Sequence, residues 1–164
     1  MYKFTQVLTS SPLTLYLIFV FITLITFDMQ YLLFLILFFI FGIILNMSLK
    51  KIIRQPRPKN AGSCGLYDDL YKKYTYGMPS MHSQIWTIFA MFWSIYLVRT
   101  VIAKTYKKII SICVLWILAI IICYQRVNSS CHTLNQVTVG ALIGIISGII
   151  MYKMSMCLLP QKFK

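Results

Sequence analysis

The sequence predicts an all-α fold, a polytopic transmembrane helix bundle of about five spans with bounds of four and six. Three observations carry that expectation. Of the 164 residues, 59% are hydrophobic and the mean hydropathy is +0.77. Several apolar runs approach the roughly 20 residues that a helix needs to cross a hydrocarbon core. Polar residues interrupt these runs in separate islands, which a five-span topology brings to one membrane face.

Residues 12 to 27 and 31 to 47 read as two spans joined by the turn Asp28-Met29-Gln30, a helical hairpin. Residues 48 to 80 are polar, basic and punctuated by Pro56, Pro58, Gly62, Gly65, Gly77 and Pro79, which marks one long loop. Further spans are expected at about 82 to 98, 108 to 124 and 134 to 153. The chain reads as one membrane domain over 1–164. Its first apolar run lacks a small-residue cleavage site, so the N-terminus is expected to be retained. Nine Lys and Arg fall on the side of the islands and seven on the other, so positive charge alone does not orient the chain.

The net charge of +13 comes from 16 Lys and Arg dispersed among loops. That dispersal argues against nucleic acid and for phosphate in some form, lipid headgroups included. Five cysteines, Cys64, Cys113, Cys123, Cys131 and Cys157, are odd in number and irregularly spaced, defining neither a disulfide framework nor a CxxC metal site. A metal site on Cys131, His132 and His82 lacks any recognised ligand spacing. The only acidic residues are Asp28, Asp68 and Asp69, too few for a carboxylate-bridged two-metal centre.

In the first island, KKIIRQPRP, Arg57 stands between two prolines that favour extended chain, and its planar fork suits bidentate phosphate contact. A juxtamembrane basic cluster on lipid headgroups reads the same stretch more plainly. The second, YGMPSMHSQ, places Ser80 as an N-cap. Its hydroxyl and the N–H groups of Met81, His82 and Ser83 would make an anion pocket at the positive end of a helix dipole; a plain capped helix start is the alternative. In the third, YQRVNSSCHTLNQVTVG, Arg126 precedes His132, and a spacing of four runs through Gln136, Gly140, Gly144 and Gly148. Small residues at that spacing let membrane helices approach closely.

In order and spacing the islands resemble the type 2 phosphatidic acid phosphatase superfamily, with its KxxxxxxRP, PSGH and SRxxxxxHxxxD motifs. Lys50 and Arg57-Pro58 match the first, Pro79-Ser80-Met81-His82 the second, and Arg126, His132 and Gln136 the third. Met81 stands where the superfamily has Gly, Gln125 where it has Ser and Gln136 where it has Asp. RQPRP, YGMPSMHSQ and CHTLNQVTVG, its Gln included, are similar to the dolichyldiphosphatase branch.

The resemblance implies a site at helix ends on one membrane face, with His132 as a nucleophile forming phosphohistidine. His82 would be the acid for the leaving group and later the base for water. Gln136 would fix the His132 tautomer, and Lys50, Arg57, Arg126, Ser80 and the Met81 N–H would cradle the phosphoryl oxygens. No metal and no cofactor is expected. The implied substrate is dolichyl or another polyprenyl diphosphate, cleaved to the monophosphate on the lumenal face of the endoplasmic reticulum to recycle the carrier of N-glycosylation. Phosphatidic acid or another lipid phosphate is the alternative substrate, and a non-catalytic lipid-binding protein the alternative class. Trp86, Phe89 and Trp93 would guide a prenyl tail or simply pack.

Overall fold

Backbone groups inside a bilayer have no water to bond, so an apolar run closes its hydrogen bonds internally as a helix. The computed structural model describes residues 2–61, 64 and 76–161, without the side chains of 2–11 and 13. Among these residues there are five helices: α1 Tyr2–Thr26, α2 Met29–Ile53, α3 Met81–Arg99, α4 Thr105–Asn128 and α5 Leu134–Leu158. No strand occurs among the described residues. Helices α2, α4 and α5 are long and apolar enough to cross a membrane, whereas the apolar part of α1, Thr14–Thr26, is shorter. Helix α3 falls short in hydropathy because it is the buried centre of the bundle, where His82, Ser83, Gln84 and Thr87 face protein rather than lipid.

The five helices match the five apolar segments, but several boundaries move. Helix α1 continues N-terminally through Pro12 to Tyr2. Helix α2 runs six residues past 47, so Lys50 lies on a helix rather than in the loop. Asn46 and Lys50, four apart, share its inner face and are buried. The helix stops at Arg54, whose left-handed φ of 53° lets its N–H reach the Lys50 carbonyl at 3.0 Å. Gly62, Gly65, Asp68 and Asp69 lie outside the described residues. Asp28 caps α2, accepting from the Gln30 N–H at 3.1 Å.

Helix α5 packs closely along α3. A Cβ added at Gly140 would stand 2.6 Å from the Ser80 carbonyl oxygen, and one at Gly148 would stand 3.0 Å from that of Ile88. One at Gly144 would collide with Thr87 Oγ1 and the Gln84 carbonyl. Thr87 Oγ1 also donates to the Ala141 carbonyl at 3.1 Å, tying the two helices. The glycine stripe is thus a backbone-to-backbone interface.

On the other side of α3, Phe19, Phe34, Phe92 and Trp93 form a ring cluster with centroids 4.8 to 5.6 Å apart. Phe89 joins it at 5.7 Å from Phe19. Phe89 and Trp93 are therefore packing residues. Within α2, residues Phe39–Ile44 form a π-helical turn. There Gln84 Nε2 donates to the Phe41 carbonyl at 2.7 Å, while Gln84 Oε1 accepts from Asn46 Nδ2 at 2.8 Å. This buried amide pair locks α2 to α3 just below the polar end of the bundle.

Candidate active site

The polar end is assembled from three chain segments: the end of α2 with residues 54–58, the start of α3, and the turn from α4 into α5. Helix α4 ends at Asn128, and Ser130 turns the chain with a φ of 56°. Cys131 and His132 follow before Thr133 caps α5. The turn is closed by the His132 N–H donating to the Arg126 carbonyl at 3.2 Å. His132 is 2% exposed and Arg126 is fully buried.

Thr133 and Gln136 form a capping box: the Gln136 N–H donates to Thr133 Oγ1 at 3.3 Å and the Thr133 N–H to Gln136 Oε1 at 3.2 Å. The Gln136 Nε2 donates to the Pro56 carbonyl at 2.8 Å and to Gln55 Oε1 at 3.3 Å. Those carbonyl partners fix which end of the amide is oxygen, and that oxygen lies 3.3 Å from His132 Nδ1. Nδ1 therefore carries the proton toward Gln136, and Nε2 keeps its lone pair. Gly77 makes room for this amide, because a Cβ there would stand 2.5 Å from Gln136 Nε2. The Gly77 N–H donates to the Gln55 carbonyl at 2.7 Å, joining the first and second islands.

Ser80 is the N-cap of α3, with φ −68° and ψ 118°, but its hydroxyl makes no capping bond. That part of the sequence expectation is corrected: Ser80 Oγ accepts from Ser83 Oγ at 3.1 Å instead. The Ser80 backbone N–H donates to the Gln136 carbonyl at 3.0 Å, and its carbonyl receives the Gln84 N–H at 3.1 Å. The start of α3 is thus pinned to α5, with Met81 half-buried and His82 buried. Asn46 Nδ2 adds a 3.4 Å contact to the Pro79 carbonyl.

Burial holds the imidazole of His132 neutral, pushing its pKa from 6.5 down to about 2; the charges of Arg57, Arg126 and Lys50 and the ring of His82 add to this. Arg57, Arg126, Lys50 and His82 are thus near enough to act on His132, which Gln136 holds at Nδ1. Lys50 is buried and Arg57 half-buried. Gln125 is 8% exposed, and neither atom of its side-chain amide meets a partner among the described residues.

The cysteine reading is overturned for one pair. Cys64 and Cys131 form a disulfide across 67 residues, with Cα atoms 5.6 Å apart. Spacing in sequence carries no trace of it, because the pairing follows from where the long loop returns. The sequence reading also passed over Thr133, Gln84 and Asn46. Thr133 had a signal in the T-x-x-Q pattern of a capping box. The two amides had none beyond being polar in apolar runs.

Comparison with known proteins assigns the class this fold and pocket define. Residues 29–157 match the model of the PAP2 superfamily, and the chain belongs to that family. It is 38% identical over 109 residues to dolichyldiphosphatase 1 of Dictyostelium discoideum, an alignment covering 65% of this chain and 44% of that protein. It is 33% identical over 106 residues to the dolichyldiphosphatase of Saccharomyces cerevisiae, covering 64% of this chain and 44% of the relative. The chain thus aligns with less than half the length of these curated relatives. No solved structure matches it significantly.

Proposed function

We propose that the chain is a metal-independent hydrolase that cleaves dolichyl or another polyprenyl diphosphate to the monophosphate and phosphate through a phosphohistidine on His132. The observation that carries this reading is the buried, neutral imidazole of His132, set on Gln136 and ringed by Lys50, Arg57, Arg126 and His82. A nucleophile must keep its lone pair in a pocket that attracts anions, and neutrality at Nε2 with cations around it meets both needs.

In the first step His132 Nε2 attacks the terminal phosphorus as the bond to the bridging oxygen breaks. The protonated ring of His82 gives its proton to that departing oxygen. Lys50, Arg57 and Arg126 take the equatorial oxygens, helped by the Met81 N–H at the start of α3 and by Ser80. In the second step His82, now neutral, takes a proton from a water that attacks the phosphohistidine, and inorganic phosphate leaves. Gln136 accepts the Nδ1 proton throughout; lacking charge, it orients the ring without holding it protonated. The three cations supply the charge that a metal provides in other phosphatases.

A buried disulfide beside the site supports placing this face in an oxidising compartment, the lumen of the endoplasmic reticulum, where the product would re-enter the carrier cycle of N-glycosylation. The test is phosphate release from dolichyl and farnesyl diphosphate by detergent-purified protein in EDTA. Turnover is expected in the wild type and none in His132→Ala. Lipid binding without release, with or without added metal, would overturn the enzyme reading in favour of a lipid-binding protein. Preference for phosphatidic acid would overturn the substrate assignment alone.

A further inference from the structure

The Cys64–Cys131 disulfide sits on the pocket. Both cysteines are buried, at 1% and 0% exposure. Cys131 immediately precedes His132 in the chain. The Cys64 carbonyl accepts from Arg126 Nη2 at 2.7 Å, and the Arg126 carbonyl accepts from the His132 N–H at 3.2 Å. Covalent and hydrogen bonds therefore close a circuit from Cys64 through Arg126 and His132 to Cys131 and back. The guanidinium and the imidazole are fixed relative to each other by that circuit.

The helix-to-helix packing rests on other residues. Helices α3 and α5 are joined along Gly140, Gly144 and Gly148, and α2 is locked to α3 by Asn46 and Gln84. These contacts lie on other residues, so the element most directly freed by opening the disulfide is the turn that carries His132. Resting on the phosphatase reading above, we propose that Cys64 and Cys131 are positioning residues whose disulfide holds Arg126 and His132 in register for phosphoryl transfer, making activity reversibly dependent on an oxidised thiol pair.

A dithiol opens the switch by exchange. One of its thiolates attacks a cystine sulfur, the Sγ–Sγ bond breaks, and a mixed disulfide forms with one cysteine while the other leaves as thiolate and takes a proton. The second thiol of the reagent then displaces the first cysteine. Two protein thiols and one cyclic disulfide of the reagent result, two electrons having passed to the protein. A misplacement of about 1 Å at a reacting centre costs on the order of 100-fold in rate, and freeing this turn is expected to cost at least about tenfold in kcat. KM, to which the prenyl tail contributes, changes less.

The experiment compares oxidised protein, protein reduced by a dithiol, reoxidised protein and the Cys64→Ala/Cys131→Ala variant, all in a Cys113→Ser/Cys157→Ser background. Both replaced cysteines are exposed and remote from the pocket. Phosphate release, thermal protection by inorganic phosphate, melting temperature and thiol count are read together. The expected result is a fall in kcat and in phosphate protection on reduction, with helix content and cooperative melting retained in the absence of phosphate although the midpoint falls as the 67-residue loop is freed, and both readouts regained on reoxidation. The pH profile of kcat should gain an acid limb nearer pH 6.5, as water reaches His132 and lifts its depressed pKa.

Unchanged kcat and protection after thiol counting proves both cysteines reduced would overturn the proposal, as would three free thiols, that of Cys123 and those of the pair, in the background protein as purified. If the oxidised protein releases no phosphate from any substrate, the phosphatase reading fails. Phosphate protection then still decides: its loss on reduction supports the clamp, and its persistence sinks it.

Discussion

The two histidines are held by different means. His132 stands in a turn between helices, and its place depends on individual bonds: the N–H to the Arg126 carbonyl, the Gln136 amide anchored on Pro56, and the disulfide at Cys131. His82 stands in the first turn of α3, and its place depends on helix packing, through Ser80 bonded to Gln136 and the backbone contact at Gly140. The difference fits the division of labour proposed above. A nucleophile needs an exact trajectory, which short bonds supply. An acid that donates and later accepts needs only to stay across the phosphate, and a rigid helix keeps it there.

The largest effect should come from removing each ring. His132→Ala deletes the attacking atom of the proposed mechanism and is expected to lower turnover by about 10⁴-fold or more, whatever the leaving group. His82→Ala is expected to cost about 10²- to 10⁴-fold with a diphosphate. That loss should shrink markedly for a phosphate ester with a weakly basic phenolate leaving group, which departs without a proton. Measuring both variants on both substrates separates the roles. Equal losses on the two substrates for His82→Ala would contradict its assignment as the acid.

The same contrast explains what was legible in the sequence. Lys50, Arg57, His82, Arg126, His132 and Gln136 stand out by motif spacing, and the fold brings their charges and rings to bear on His132; their roles are those proposed above. The five helices could be read because apolar length is dictated by the bilayer. The means of support were mostly hidden. The disulfide joins residues 67 apart, and no local rule specifies that meeting. The π-helical turn at Phe39–Ile44 shows no local break in the sequence, and its carbonyl partner Gln84 comes from another helix. Lys50-Lys51 looked like the start of a loop because charge usually ends a span; burial of Lys50 beside the pocket keeps the helix going. Ser80 looked like a hydroxyl cap because capping is the local preference, and tertiary contact with Ser83 overrode it.

Two glycines test the division of support next, with effects of about 10- to 100-fold on rate. In Gly144→Leu the new side chain meets Thr87 and the Gln84 backbone, so α3 and α5 must separate. Activity and melting temperature should fall together. In Gly77→Ala the atoms nearest the added Cβ belong to the Gln136 amide, 2.5 Å away at Nε2 and 2.7 Å at Oε1. The amide must shift and release Nδ1 of His132. Activity should fall about tenfold while the melting temperature stays near that of the wild type. A parallel loss of stability in Gly77→Ala would mean that the Gln136 network supports the bundle as a whole.

The smallest effect is on stability and comes from His132 alone. Its pKa is about 2 in the folded protein and about 6.5 when unfolded, so below pH 6.5 the unfolded chain binds a proton that the folded chain refuses. The stability contributed by the neutral ring is therefore complete above pH 6.5 and declines as pH falls toward 2. One proton gives a slope of at most about 1.4 kcal/mol per pH unit, or roughly 2 kcal/mol between pH 6.5 and 5. Melting curves over that range should show the loss in the wild type and a shallower dependence in His132→Gln. Bound inorganic phosphate offsets the field of Lys50, Arg57 and Arg126, raises the folded pKa and should flatten the wild-type slope. Because the largest cause of the shift is burial, phosphate should remove only part of the slope. A slope that phosphate abolished outright would assign the neutral state of His132 to the cations rather than to the turn that buries it.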